Sequence, residues 1–221
     1  MKTTISLLSL SFLLLACAGE STPTEPVACP GPDCMCTGVS CLCPLGFDCG
    51  LSCGALEGSG CQLTCGEGNT CTTDCGTEAC DVDCGAMADC VVDALGDTNV
   101  ACSTNSTCDV TTAGDNADLD CGMGSMCAFE AMGADNTINC DSGATCTVTS
   151  GRDGDVLCSD ATCTVTVADE GDVECEMGAT CTVTCEADCT VLCRDTSMCM
   201  VQCPGETEPS PTEGEHTCVA G

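Results

Sequence analysis

The sequence predicts an all-β chain, a disulfide-stapled β-solenoid (β-helix) of about nine rungs with 17 to 19 residues per rung. Three observations carry that prediction. Cysteine recurs at a nearly fixed period, apolar and polar residues alternate on both sides of each cysteine pair, and turn-forming residues punctuate the chain between units.

Cys84, Cys102, Cys121, Cys140, Cys158, Cys175 and Cys193 step by 18, 19, 19, 18, 17 and 18 residues. Each has a companion five or six residues later, namely Cys90, Cys108, Cys127, Cys146, Cys163, Cys181 and Cys199. Cys43 with Cys49 and Cys65 with Cys71 keep the same phase, which brings the units to nine.

In Asp155-Val156-Leu157-Cys158 followed by Cys163-Thr164-Val165-Thr166, Val and Cys alternate with other residues at period two on both sides of a short gap. That pattern is two strands joined by a turn. The same palindrome surrounds Cys175 and Cys181. It recurs with bulkier residues as Leu119-x-Cys121 with Cys127-x-Phe129, and as Ile138-x-Cys140 with Cys146-x-Val148. Gly96-Asp97, Gly114-Asp115-Asn116, Gly133-Ala134-Asp135-Asn136 and Gly151-Arg152-Asp153-Gly154 supply turns between units. One such unit cannot bury its apolar face alone, but stacked copies share a narrow core. At about 4.8 Å per rung the rod is roughly 40 Å long.

Cysteines in phase with the inward Val face each other across the turn, so bridges are expected for Cys43–Cys49, Cys65–Cys71, Cys84–Cys90, Cys102–Cys108, Cys121–Cys127, Cys140–Cys146, Cys158–Cys163, Cys175–Cys181 and Cys193–Cys199. The end rungs invite Cys53–Cys61, Cys75–Cys80 and Cys185–Cys189, and Cys203–Cys218 pins the C-terminal tail. Cys29, Cys34, Cys36 and Cys41 remain for an N-terminal cap. Bridges between neighbouring rungs are the alternative, because cysteines stacked in columns are also within bridging distance.

Residues 1–16 read as a signal peptide, with Lys2 in the n-region and Ile5 to Leu15 as an apolar stretch too short to span a bilayer. Leu14-Leu15-Ala16-Cys17 resembles the lipobox of bacterial lipoproteins, which implies a lipidated Cys17 as the mature N-terminus. Ala16-Cys17-Ala18 also fits ordinary cleavage after Ala18 and a secreted product. Either route removes or modifies Cys17 and leaves an even number of the 31 cysteines to pair. Ala18, standing where an inner-membrane signal would place Asp, implies by the same resemblance an outer-membrane or cell-surface anchor. Residues 17–32 form the lipidated tether, 33–64 a cysteine-rich cap with the first rung, 65–203 the repeats, and 204–221 a Pro/Glu-rich tail. Export places the thiols where disulfides persist.

Composition removes whole function classes. A formal charge of -32, from 35 Asp and Glu against 3 Lys and Arg, repels phosphate backbones and excludes nucleic-acid binding. Hydrophobic residues at 43% and a positive mean hydropathy argue against disorder. Catalysis lacks parts: His216 is the sole His and sits in the tail, Tyr and Trp are absent, and no Lys follows Lys2. No enzyme is expected.

Two surfaces remain. Asp81, Asp83, Asp118, Asp120, Asp155, Asp172 and Glu174 form an acidic strip beside turn acids Asp115, Asp135 and Asp153. Asp118, Asp120, Asp155 and Asp172 are the candidate ligands for Ca²⁺, the one cofactor considered. Solvated charge that keeps the rod soluble is the competing reading. Thr145-Cys146-Thr147, Thr162-Cys163-Thr164 and Thr180-Cys181-Thr182 resemble the ice-binding, disulfide-filled solenoids of insect antifreeze proteins. The likeness covers three rungs and fails at Asp109, Ala128 and Met200. Cys34-Met35-Cys36 and Cys41-Leu42-Cys43 resemble metallothionein spacing, which implies an extracellular thiolate metal binder as a further alternative. The leading expectation is a non-enzymatic, surface-anchored lipoprotein, monomeric, serving as a rigid structural or interaction module with an envelope partner that the residues do not name.

Overall fold

Alternation of inward and outward side chains sets the whole architecture. In the computed structural model, which describes residues 35–37, 40–53 and 60–220, the chain is a β-solenoid with two strands per rung. Cys17, the expected export segment, Cys29 and Cys34 lie outside the described residues. A short β1 (Met35–Thr37) precedes nine rungs. These are β2 (Ser40–Cys43) with β3 (Cys49–Ser52), β4 (Cys61–Cys65) with β5 (Thr70–Gly76), β6 (Cys80–Cys84) with β7 (Asp89–Ala94), and β8 (Thr98–Cys102) with β9 (Thr107–Thr112). There follow β10 (Asp118–Cys121) with β11 (Met126–Ala131), β12 (Thr137–Cys140) with β13 (Thr145–Arg152), and β14 (Asp155–Ser159) with β15 (Thr162–Asp169). The last two are β16 (Gly171–Glu176) with β17 (Thr180–Cys185) and β18 (Cys189–Cys193) with β19 (Met198–Gln202).

Even-numbered strands from β2 to β18 make one parallel sheet and odd-numbered strands from β3 to β19 the other. Register is held by cysteine: Cys102, Cys121, Cys140 and Cys158 are direct partners down one sheet, and Cys108, Cys127, Cys146 and Cys163 down the other. A one-residue slip would turn every inward cysteine to solvent, so the pattern fixes the pairing.

Three columns fill the space between the sheets. The first is the bridge column, one disulfide per rung from Cys43–Cys49 to Cys193–Cys199. The second is aliphatic, with Leu63, Val82, Val100, Leu119, Ile138, Val156, Val173 and Val191 facing residues such as Val92, Val110, Phe129 and Val148, all buried. The third, at the opposite turn, is bridged near the ends by Cys53–Cys61, Cys75–Cys80 and Cys185–Cys189. Small or polar residues fill its middle. There Thr98 Oγ1 donates to Gly96 O, Thr112 Oγ1 accepts from Gly114 N, and Asn136 Oδ1 accepts from Ala117 N.

Seven of the nine turns on the bridge side close by an i to i+3 backbone bond, as in Ala88 N to Gly85 O, Ser125 N to Gly122 O and Ala144 N to Asp141 O. The last turn residue packs inward over the disulfide, which is why it is Ala88, Ser106, Ser125, Ala144 or Ala179, all buried.

The Pro/Glu-rich tail, expected to be pinned by Cys203–Cys218, also forms strands. Residues 204–220 contain β20 (Ser210–Thr212) and β21 (Gly214–Cys218), which pair antiparallel with β19 and β18. Cys203–Cys218 ties this segment down. The physical cause is the open edge of the last rung, whose backbone groups need partners. Pro211 and Glu215 then occupy the new outer strands, residues that discourage further strand addition.

Candidate functional site

The outward face of the even sheet carries two columns. The first runs Asp81, Asn99, Asp118, Thr137, Asp155, Asp172 and Thr190, and the second Asp83, Ala101, Asp120, Asn139, Leu157, Glu174 and Leu192. Acids therefore rarely stack on acids. Asn99 Nδ2 donates to Asp81 Oδ1 at 2.9 Å, and Asn139 Nδ2 donates to Asp120 Oδ1 at 2.9 Å. The sequence predicts an acidic strip on this face, and the interleaved amides add to it. The asparagines stood at the same phase as the aspartates, which was the signal.

The four candidate ligands do not form one site. Asp118 and Asp120 share β10, while Asp155 and Asp172 are direct partners on β14 and β16. Thr137 and Asn139 of β12 separate the two pairs, so they lie two rungs, about 9.6 Å, apart. No single ion reaches both pairs, because Ca²⁺–oxygen distances are about 2.3–2.6 Å. Asp155 is where charge concentrates. Partial desolvation, then the carboxylates of Asp172, Asp153 and Asp135, raise its pKa above the ordinary carboxylate value. The two arginines of the chain's repeats are already engaged, Arg152 with Asp153 at 3.4 Å and Arg194 with Glu174.

A shallow groove of about 570 Å³ crosses this face where Ala101 leaves a gap, walled by Asp81, Asp83, Asp118 and Asp120. Its floor is backbone and small side chains. It is open and carries no histidine, lysine or cysteine among its lining residues.

The outward face of the odd sheet has the opposite character. Thr145, Thr162 and Thr180 stack in one column, Thr147, Thr164 and Thr182 in the next, and Thr149, Thr166 and Thr184 in a third. The rows above and below hold Met126, Ala128 and Glu130 on one side and Met198, Met200 and Gln202 on the other. This three-by-three threonine grid is the uncharged part of a rod that is acidic elsewhere.

The sulfurs that lie close enough to hold a metal, such as Cys102, Cys108 and Cys127 or Cys53, Cys75 and Cys80, all belong to disulfides. A bridged sulfur has no thiolate to offer. His216 is not solvated alone in a tail: it lies opposite Val191 on β21, with Nε2 at 3.4 Å from Cys203 Sγ. Sequence alone could not bring these together, because the turn that folds residues 204–213 back has no repeat to predict it.

No protein-family model, curated protein or solved structure matches this chain.

Proposed function

We propose that this chain is a non-enzymatic, exported module of the cell envelope, anchored at Cys17, in which a stiff disulfide-stapled rod acts as a spacer and presents its two outer faces to envelope partners. The observation that carries the reading is the bridge column, one disulfide per rung through nine rungs. Closing a seven-residue loop stabilises by about 2.4 kcal/mol in the chain-entropy model. Two stacked carboxylates repel by about 0.9 kcal/mol at water-like dielectric. Local bridges therefore hold each rung against the charge of the surface, and such cross-linking suits a compartment that keeps cysteines oxidised. Intact mass with thiol counting on protein purified from its native membrane tests the reading. Fifteen disulfides from the 30 cysteines after Cys17, plus an acyl mass on Cys17, are expected. Free thiols, or an unmodified Cys17 in the soluble fraction, overturn it.

One observation favours a second reading, divalent-cation binding, at Asp155, where Asp172, Asp153 and Asp135 converge on one carboxyl. Millimolar Ca²⁺ then raises the melting temperature of the wild type and leaves an Asp155→Asn, Asp172→Asn variant unmoved. Equal shifts in both proteins reject a site there.

A further inference from the structure

The cap that closes the last rung is held by an unusual bridge. From Cys41 onward every described cysteine is buried except Cys203, which is half-exposed, while its partner Cys218 is 1% exposed. The other described bridges join cysteines four to eight residues apart, whereas Cys203–Cys218 spans 15. Its sulfur lies 3.4 Å from Nε2 of the chain's sole histidine, His216. The Cys203 N–H donates to the Glu206 carboxylate at 2.9 Å, and the residue, partly exposed, packs against the edge of the buried core and is not enclosed by it.

We propose that Cys203–Cys218 is a thiol–disulfide exchange site for low-molecular-weight thiols, with His216 as its general base, and that exchange there releases the C-terminal cap. The chemistry is complete with a thiol as reductant. Neutral His216 takes the proton of the incoming thiol through Nε2, and the thiolate sulfur bonds to Cys203 Sγ. The Sγ–Sγ bond breaks, its electron pair leaves on Cys218 Sγ, and the imidazolium returns a proton to that sulfur. A second thiol attacks the mixed disulfide on Cys203. The net result is two thiols oxidised to one disulfide and one protein bridge reduced to two cysteine thiols.

Opening has a structural consequence of its own. β20 is held to β19 by three paired residues and β21 to β18 by five, and neither has a strand on its outer side. Without the bridge both depend on that pairing and on two further hydrogen bonds, from Ser210 Oγ to Val201 O and from Ala220 N to Asp188 Oδ1. Their release uncovers the parallel edges of β18 and β19, which are templates for strand addition. Among the described residues, bridges such as Cys102–Cys108 and Cys140–Cys146 lie within the stack, where reduction leaves the rungs on either side in place. The inference rests on the cap geometry and not on the proposed envelope function.

The test uses the full oxidised chain, reduced glutathione in increasing concentration at pH 7, alkylation with N-ethylmaleimide and peptide mass mapping. Cys203 and Cys218 are expected to be the first alkylated pair, with Cys185–Cys189 and Cys193–Cys199 still closed, and deuterium uptake is expected to rise in residues 204–220 alone. His216→Gln is expected to slow this opening at least about tenfold, the low side of general-base contributions. A Cys203→Ser, Cys218→Ser variant is expected to show the same raised uptake without glutathione. Earlier opening of another bridge, wild-type kinetics in His216→Gln, or unchanged uptake in the double variant each overturns the proposal.

Discussion

Asn139 donates from Nδ2 to Oδ1 of Asp120 at 2.9 Å, one rung to the next, and Asn99 does the same to Asp81. These amides convert places where carboxylates would stack into hydrogen-bonded ladders. Asn139→Asp exchanges that bond, about 1 kcal/mol, for a repulsion of about 0.9 kcal/mol. A loss of about 2 kcal/mol is expected in denaturant titrations of the oxidised protein at low salt. Molar salt should recover the electrostatic half, since the Debye length falls to about 3 Å.

Bridge and core contribute on different scales. Removing one rung's staple by Cys121→Ala, Cys127→Ala takes away a loop closure of about 2.4 kcal/mol. Phe129 is buried on the same rung between Val110 and Val148, and Phe129→Ala leaves a cavity costing about 3–5 kcal/mol. The phenylalanine variant should therefore unfold at the lower denaturant concentration of the two. The reverse order would mean that the bridges, not the packing, dominate the stability of a rung.

The fold was legible because its two signals reinforce each other: the 18-residue step gives the rung, and Val-x-Cys against Cys-x-Val gives two strands with a known inward face. Other features were not. The threonine columns could be aligned from sequence, but the hydrogen bonds of Asn99 and Asn139 depend on which outward neighbour sits one rung away. The scatter of Asp118, Asp120, Asp155 and Asp172 likewise became visible only once Thr137 and Asn139 were placed between them. The non-repeating tail carries no periodic signal, so neither β20 and β21 nor the meeting of His216 with Cys203 could be read.

Glycines in the second turn were read as turn formers, and the structure gives a different reason. Positive φ there falls on Asn116, Asp135, Asp153 and Glu170. Gly114, Gly133 and Gly151 instead stack directly: a Cβ on Gly133 would lie 1.9 Å from Gly114 O, and one on Gly151 would lie 2.0 Å from Gly133 O. The contact is with backbone, which cannot rotate away. Gly133→Ala should thus cost about 1–3 kcal/mol, the range for overpacking. Gly143→Ala, where a Cβ meets nothing closer than 3.8 Å but φ is +74°, is burdened by backbone strain alone, about 1–2 kcal/mol. Hydrogen exchange separates them, with protection lost on the neighbouring rungs in Gly133→Ala and only at the turn itself in Gly143→Ala.

Asp155 sets the sign of one pH effect. Its pKa is raised in the folded state by partial desolvation and by Asp172, Asp153 and Asp135, so the fold binds that proton more tightly than the unfolded chain does. Stability contributed by the neutral form is present below the unfolded carboxylate pKa, about 3.9, and is lost as pH rises through the folded value. Asp155→Asn keeps the neutral shape and removes the charge. The variant should melt higher than the wild type at pH 7, and the difference should vanish near pH 3. Because Asp155 is exposed, solvent screening holds the effect below about 1 kcal/mol, which for a chain of this size is under about 4 °C. Thermal melts of both proteins at the two pH values check it. A variant that melts lower at pH 7 would mean that the Asp155 carboxylate is stabilised by a bound cation, and adding a chelator to the wild type would then reproduce the loss.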